Sequence, residues 1–293
     1  MNQRFEDYIK DYFLSLSELS QYANEKGIID RYYSTAKGDY KKFLDKCNSL
    51  ELTKFGIRHY RAKKEMFASA QMFIEAKRTK EVGCIIGHFF LCYYSLFHAM
   101  QSLLFLNHHL DDEKVLNLTH SEVKKYFEDF YCKGNKSIIP KEILDLFTIL
   151  KEYRELYSYT MPFNNPPNVM VQFEKLEYYI TLCYQLLDLN SFIVYKIRYG
   201  ISYNYDTDAK KYFEKCCFKI DPVTNNLIQD DADKNFWHEV MTSGIDLSPY
   251  SIQMDHDMDE YGGYDEDELD ELGFRECDTI KMSAFRFIYN AIL

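Results

Sequence analysis

The chain has little of what interrupts a helix. Among 293 residues there are only 6 prolines and 11 glycines, so long helices are expected rather than a fold divided by many turns. None of its 8 cysteines forms a CxxC pair, and several fall on apolar helical faces. Free, buried thiols in a reducing cytoplasm are therefore expected in place of a disulfide frame. The first residues, MNQRFEDYIKDYF, lack the basic opening, apolar run and small-residue cleavage site of a secretory signal. Positive charge is also short. A net charge of −11 argues against a protein that simply coats nucleic acid, since phosphate binding is driven by cations. That average is uneven, however. Between Asp255 and Glu271 the chain carries ten carboxylates and no lysine or arginine, so the rest is close to neutral and leaves room for a local basic patch.

Aromatic residues are abundant. With 26 Tyr and 22 Phe beside one Trp, the chain has the large apolar side chains that offset backbone entropy, which excludes disorder over most of its length. One run organises the pattern: 81–107, EVGCIIGHFFLCYYSLFHAMQSLLFLN. It is apolar on nearly every side, as expected of a helix wrapped by other helices. Its length approaches a membrane span, yet His88, Tyr93, Tyr94, His98 and Gln101 would place polar groups in hydrocarbon, so a buried core helix is expected and no membrane partner.

Other apolar periodicities surround this spine. Residues 4–24 and 27–50 read as an N-terminal helical pair, the second broken near Lys37-Gly38-Asp39. Leu52 to Lys80 is a charged helix with Tyr60, Met66, Phe67, Phe73 and Ile74 inward, while Arg58, Arg61, Lys63, Lys64, Lys77, Arg78 and Lys80 cover what reads as a solvated face, with an RNA-binding strip as the alternative. A very short connection makes it an antiparallel hairpin with the spine. After a loop at His108-His109-Leu110-Asp111-Asp112, Thr119 or Ser121 caps a helix reaching Cys132. Ile139-Pro140 opens another through Thr160, stopped by MPFNNPPN, and a further helix covers Val169 to Leu189. The expected fold is an all-α antiparallel bundle over 51–190, with an N-terminal helical extension over 1–50 and a mixed, acidic C-terminal appendage over 191–293. In that appendage SFIVYKIRYGISYNYD suggests a strand or extended segment, and Thr279 to Leu293 a final helix docked on the bundle or a partner chain.

Metal sites find little support. His108 and His109 are completed only by Asp111 and Asp112, and loop exposure is the plainer account. Asp255, Asp257, Asp259 and Glu266 occupy first, third, fifth and twelfth places of a calcium-type loop, but Glu260 stands where glycine would allow the turn. An acidic solvated loop, or one shielding a basic groove, fits better. No cofactor and no metal are expected.

On the spine stands Tyr93-Tyr94-Ser95-Leu96-Phe97-His98-Ala99. Before it come Arg61, Ala62 and Ala70 to Ala76; after it Thr119-His120-Ser121, Phe127, Phe130, Gly134 and Ile139-Pro140, then Tyr153-Arg154-Glu155-Leu156-Tyr157-Ser158-Tyr159. In this order, over about 58–190, the chain resembles the HEPN superfamily, helical bundles of prokaryotic toxin–antitoxin and defence systems. The likeness is to stand-alone members with a Tyr-Tyr-x-x-Phe-His helix. It implies a homodimer and, in nuclease members, a composite cleft where an Arg-x4–6-His motif from each subunit cleaves RNA without metal. This chain departs there: Tyr159, Thr160 and Met161 follow where the histidine would stand, and Ser158 replaces an acidic residue. A phenol, with an ordinary pKa of about 10, donates near neutral pH where imidazole would accept.

The resemblance thus implies Arg154, Tyr159 and His98 as catalytic candidates, with Arg154, Tyr94, Ser95 and Arg61 as RNA- or nucleotide-binding ones. By the residues alone, Arg154 reads equally as a cation answering a helix dipole, His98 as a satisfied core histidine and His120 as a surface or capping residue. Two functions follow. One is a metal-independent endoribonuclease of a defence or toxin–antitoxin system; the alternative is a non-catalytic HEPN module binding RNA, a nucleotide or a protein partner from the same operon.

Overall fold

The computed structural model describes residues 16–25, 28–134, 137–160, 172–198, 206–217, 219–224, 227–228, 231–242, 244–245, 247–254 and 276–293. Over these the all-α expectation holds. The helices are α1 (Ser17–Glu25), α2 (Ile29–Leu44), α3 (Ser49–Glu81), α4 (Ile85–Leu106), α5 (Asp112–Leu116), α6 (His120–Phe127), α7 (Glu142–Glu155), α8 (Phe173–Arg198), α9 (Lys210–Cys217), α10 (Asp231–Thr242), α11 (250–254) and α12 (Glu276–Ile292). The extended structure is one two-residue antiparallel pairing, Lys219–Ile220 with Leu227–Ile228. Residues 4–15, the MPFNNPPN segment and the acidic stretch with its calcium-type spacing lie outside the described residues.

The central hairpin follows from local chemistry. Asn48 begins α3 with a capping box: its Oδ1 accepts from the Glu51 amide, and Glu51 Oε2 accepts from the Asn48 amide, both at 2.9 Å. At the other end Gly83 takes φ +72°, a left-handed turn suited to glycine. The Cys84 amide then donates to Thr79 O at 2.8 Å and the Gly83 amide to Lys80 O at 3.1 Å, a Schellman ending that satisfies the last carbonyls and turns the chain directly into α4.

The spine α4 is wrapped as expected. Of its most apolar window 72 % is buried inside the bundle, among α3, α6, α7 and α8. Tyr93, Leu96, Ala99, Met100, Leu103 and Leu104 are fully buried. Thr119 caps α6 with a second capping box to Glu122. Both α6 and α7 end in a π-turn, Glu128–Cys132 and Leu156–Thr160, widened turns frequent at functional sites.

Three expectations are corrected. The break at Gly38 is absent, because α2 runs on and buries Tyr32, Tyr40 and Leu44 on one face, outweighing the roughly 1 kcal/mol glycine penalty. A Cβ at Gly38 would meet nothing within 4 Å. Gly38→Ala is therefore expected to stabilise the protein by about 0.5–1 kcal/mol in urea unfolding; a loss would mean that α2 is broken there after all. The extended segment after Asn190 is likewise absent over 191–198, where α8 continues. Phe192, Ile193 and Val194 are buried, and this burial overrides a weak β preference. Nor is the face of α3 bearing Arg58 solvated, since Arg58 is only 2 % exposed.

The final helix packs on the bundle. Phe287 lies against Phe73 with centroids 4.9 Å apart, Phe285 against Phe67 at 6.2 Å, and Gln185 Nε2 donates to Ala291 O at 2.9 Å. The appendage also grips α3: Phe236 stacks on Tyr60 at 3.9 Å, and Asp233 accepts from Tyr60 Oη and from Lys64 Nζ. The described cysteines are free, with Cys92, Cys132, Cys183, Cys216 and Cys217 buried and Cys84 exposed.

Candidate functional site

A polar seam crosses the apolar core between α3, α4 and the end of α7. Its anchor is Glu65, 2 % exposed. Arg61, one turn earlier on α3, donates to Glu65 Oε1 from Nε at 2.8 Å and from Nη2 at 2.5 Å. On the facing helix His98 Nδ1 meets Glu65 Oε2 at 2.5 Å. Burial pushes the Glu65 carboxyl up, but the His98 hydrogen bond and the charge of Arg61 outweigh it and hold the group below its ordinary value. With Nδ1 donating to a carboxylate, the lone pair of a neutral His98 lies on Nε2. That nitrogen makes no hydrogen bond among the described residues, and the side chain is 19 % exposed.

One turn before His98, Tyr94 joins the seam to α7. Arg154 Nη1 donates to Tyr94 Oη at 3.1 Å and Nη2 to Glu155 Oε1 at 3.1 Å. The guanidinium lies over the Tyr93 ring at 4.6 Å and the Tyr94 ring at 5.6 Å, an arrangement that holds a cation without a buried counter-charge. Its Nε is buried with no acceptor among the described residues, a donor the fold leaves for something else to satisfy.

His120 completes the cluster. Its ring stacks on Phe97 at 4.5 Å and meets the Tyr94 ring at 5.7 Å, while Nδ1 lies 2.5 Å from Tyr93 Oη. Burial first, then the positive charges of Arg154 and Lys151, hold its pKa below the ordinary imidazole value, so this ring is neutral near pH 7. Burial likewise pushes the Tyr93 phenol up; it stays protonated as the donor to His120 Nδ1, which leaves the ring hydrogen of neutral His120 on Nε2.

The residues expected from the sequence thus divide. Arg154, Tyr94 and His98 come together. Arg61 lies one link behind them, with its remaining donor Nη1 on Cys216 O at 3.1 Å; it braces Glu65. Ser95 faces inward: its hydroxyl donates to Cys92 O, and its carbonyl accepts from Ser69. Tyr159 is 75 % exposed and has no hydrogen bond or ring contact with the described residues. Two members were missed. Glu65 signals itself only as an acid four residues after Arg61 amid basic neighbours. His120 directly follows a capping threonine, where periodicity says nothing of direction, and the surface reading of it is corrected. Loop exposure is also wrong for His108, which lies against Tyr40 at 4.7 Å and Phe43 at 5.3 Å. Asp111 caps α5 and Asp112 pairs with Arg58.

No protein-family model matches the chain, and no curated protein or solved structure matches it either.

Proposed function

We propose that this chain is a HEPN-type effector that cleaves RNA without a metal ion. The observation that carries the reading is the imidazole of His98, oriented through Nδ1 by a buried carboxylate and open at Nε2, one helical turn from a tyrosine that accepts from Arg154. His98 Nε2 takes the 2′-hydroxyl proton, the 2′-oxygen attacks phosphorus to form a 2′,3′-cyclic phosphate, and the bond from phosphorus to the 5′-oxygen breaks as that oxygen takes the proton of Tyr94 Oη. Arg154 answers the phosphate charge. Tyr94 Oη accepts from Arg154 and keeps its own hydrogen to donate. The family likeness adds a homodimer in which two such seams face one cleft.

The experiment is RNA cleavage in EDTA by the purified protein, beside His98→Ala and Arg154→Ala, with dimerisation followed by light scattering. Each variant is expected to lose at least about 100-fold in rate, the usual worth of a positioned proton-transfer group. Wild type and variants equally inert on several RNAs would end the nuclease reading. A second reading, a non-catalytic module binding RNA, a nucleotide or a protein partner, is favoured by one observation: the Arg154 side chain is only 12 % exposed and lies on two tyrosine rings. It predicts RNA or nucleotide binding that Arg154→Ala weakens, with no turnover.

A further inference from the structure

The spine carries, next to the polar seam, a feature that the cleavage chemistry does not use. On α4, Ile86, Phe90, Tyr94 and His98 follow one another at intervals of four residues and so form one ridge along the helix. The ridge changes character on the way. Ile86 is 43 % and Phe90 39 % exposed, whereas Tyr94 and His98 belong to the seam. The other phenylalanines among the described residues are buried or half-buried. A ring left this far in water forgoes the burial that makes phenylalanine stabilising elsewhere in the bundle.

Its neighbours narrow what would cover it. The Phe90 and Tyr94 rings lie 4.6 Å apart at 45°. The same Tyr94 ring stands 5.6 Å from the Arg154 guanidinium, and its hydroxyl accepts from Arg154 Nη1. One tyrosine thus separates an exposed ring from a cation. Lys151, one turn before Arg154 on α7, adds a second, exposed positive charge beside Glu155 at 3.7 Å. An apolar partner laid on Ile86 and Phe90 would desolvate these charges at a cost. Single-stranded nucleic acid answers both halves, because it presents phosphates to cations and flat bases to rings. A duplex does not, since its bases are stacked on one another and its deep A-form groove keeps side chains out.

We infer that Phe90 forms a base-stacking subsite beside the seam, taking an unstacked base of single-stranded RNA whose adjoining phosphate lies on Arg154. The inference rests on the reading that the seam takes RNA. A phenyl ring has no donor or acceptor with which to read a base edge, so the subsite accepts all four bases.

The test titrates the full-length protein into short 2′-O-methylated RNA strands carrying 2-aminopurine, whose fluorescence falls when the base stacks and which cannot be cut because the attacking hydroxyl is blocked. Saturable quenching is expected with wild type. Phe90→Leu, which removes the ring and keeps apolar bulk, should lose most of the quenching and weaken binding about tenfold. Phe90→Trp gives an independent readout that decides alone if Phe90→Leu fails to fold: its added indole should be quenched saturably by unlabelled strand, beyond any change in the one native tryptophan, Trp237. Quenching that survives Phe90→Leu, or an added indole that does not respond, would overturn the subsite; cleavage of plain RNA by the same wild-type protein in EDTA would then leave the nuclease reading standing. Ring-dependent quenching without such cleavage upholds the subsite and ends the nuclease reading. A wild type that binds neither methylated nor plain strands overturns both. Weakening that accompanies dissociation of a dimer in light scattering would assign Phe90 to a contact between copies and overturn the subsite as well.

Discussion

Arg58→Ala is expected to destabilise the protein by about 3–5 kcal/mol, the cost of opening a buried, fully bonded charged site. Arg58 springs from α3 and reaches the unsatisfied end of the spine. Its Nε donates to Phe105 O at 2.8 Å, Nη2 to Asn107 O at 2.6 Å and Nη1 to Leu110 O at 2.8 Å, with Asp112 Oδ1 at 3.3 Å as partner charge. A helix end leaves carbonyls without intrahelical donors, and here one side chain satisfies three of them along the turn that leaves α4. Alanine would strand Phe105 O and Leu110 O in a dry interior, leave Asn107 O with the Leu110 amide at 3.2 Å, and leave Asp112 with Lys54 at 3.7 Å. Arg58→Lys keeps the charge but not the planar fork, so it should recover only part of the loss. Urea unfolding midpoints at constant slope are the measurement. A change below about 1 kcal/mol for Arg58→Ala would mean that water replaces these bonds freely.

Why the sequence misplaced Arg58 also explains how much of this fold it reveals. Composition and periodicity suffice for the spine, its hairpin with α3, the cap at Thr119 and the docking of α12, because each depends on residues close in sequence or on a wide apolar face. Long polar side chains escape that logic. Arg58, Arg61 and Lys64 share a helix and a charge, yet Arg58 caps another helix, Arg61 braces a buried carboxylate, and Lys64 meets Asp233 across the appendage. Only the three-dimensional neighbour separates them. The same holds at the site. Tyr94, His98 and Arg154 were singled out through a family likeness, while Glu65 and His120, which set the orientation and charge around them, belong to no motif. The turn from α7 toward Tyr159 widens into a π-helix, a departure that residue spacing does not announce.

Glu65→Gln is expected to cost a similar 3–5 kcal/mol, since it leaves the Arg61 guanidinium facing a neutral amide in the interior. The pH dependence separates this from a simple packing loss. Glu65 has a folded-state pKa held below its ordinary value, so its contribution is fully present above the unfolded carboxylate pKa, about 4.3, and is lost as pH falls through the lower folded value. Wild type should therefore weaken on acidification below about pH 4 by more than Glu65→Gln does. His98 supplies a second readout. An amide in place of the carboxylate no longer fixes Nδ1 as the protonated nitrogen, so the imidazole ¹⁵N resonances of His98 should shift toward mixed tautomers. If stability, acid sensitivity and the His98 resonances all stay as in wild type, Glu65 does not bridge α3 to α4. If they change while cleavage of RNA slows at unchanged KM, the carboxylate acts through the orientation of His98, because a group that only holds the base in line alters the chemical step and leaves substrate binding alone.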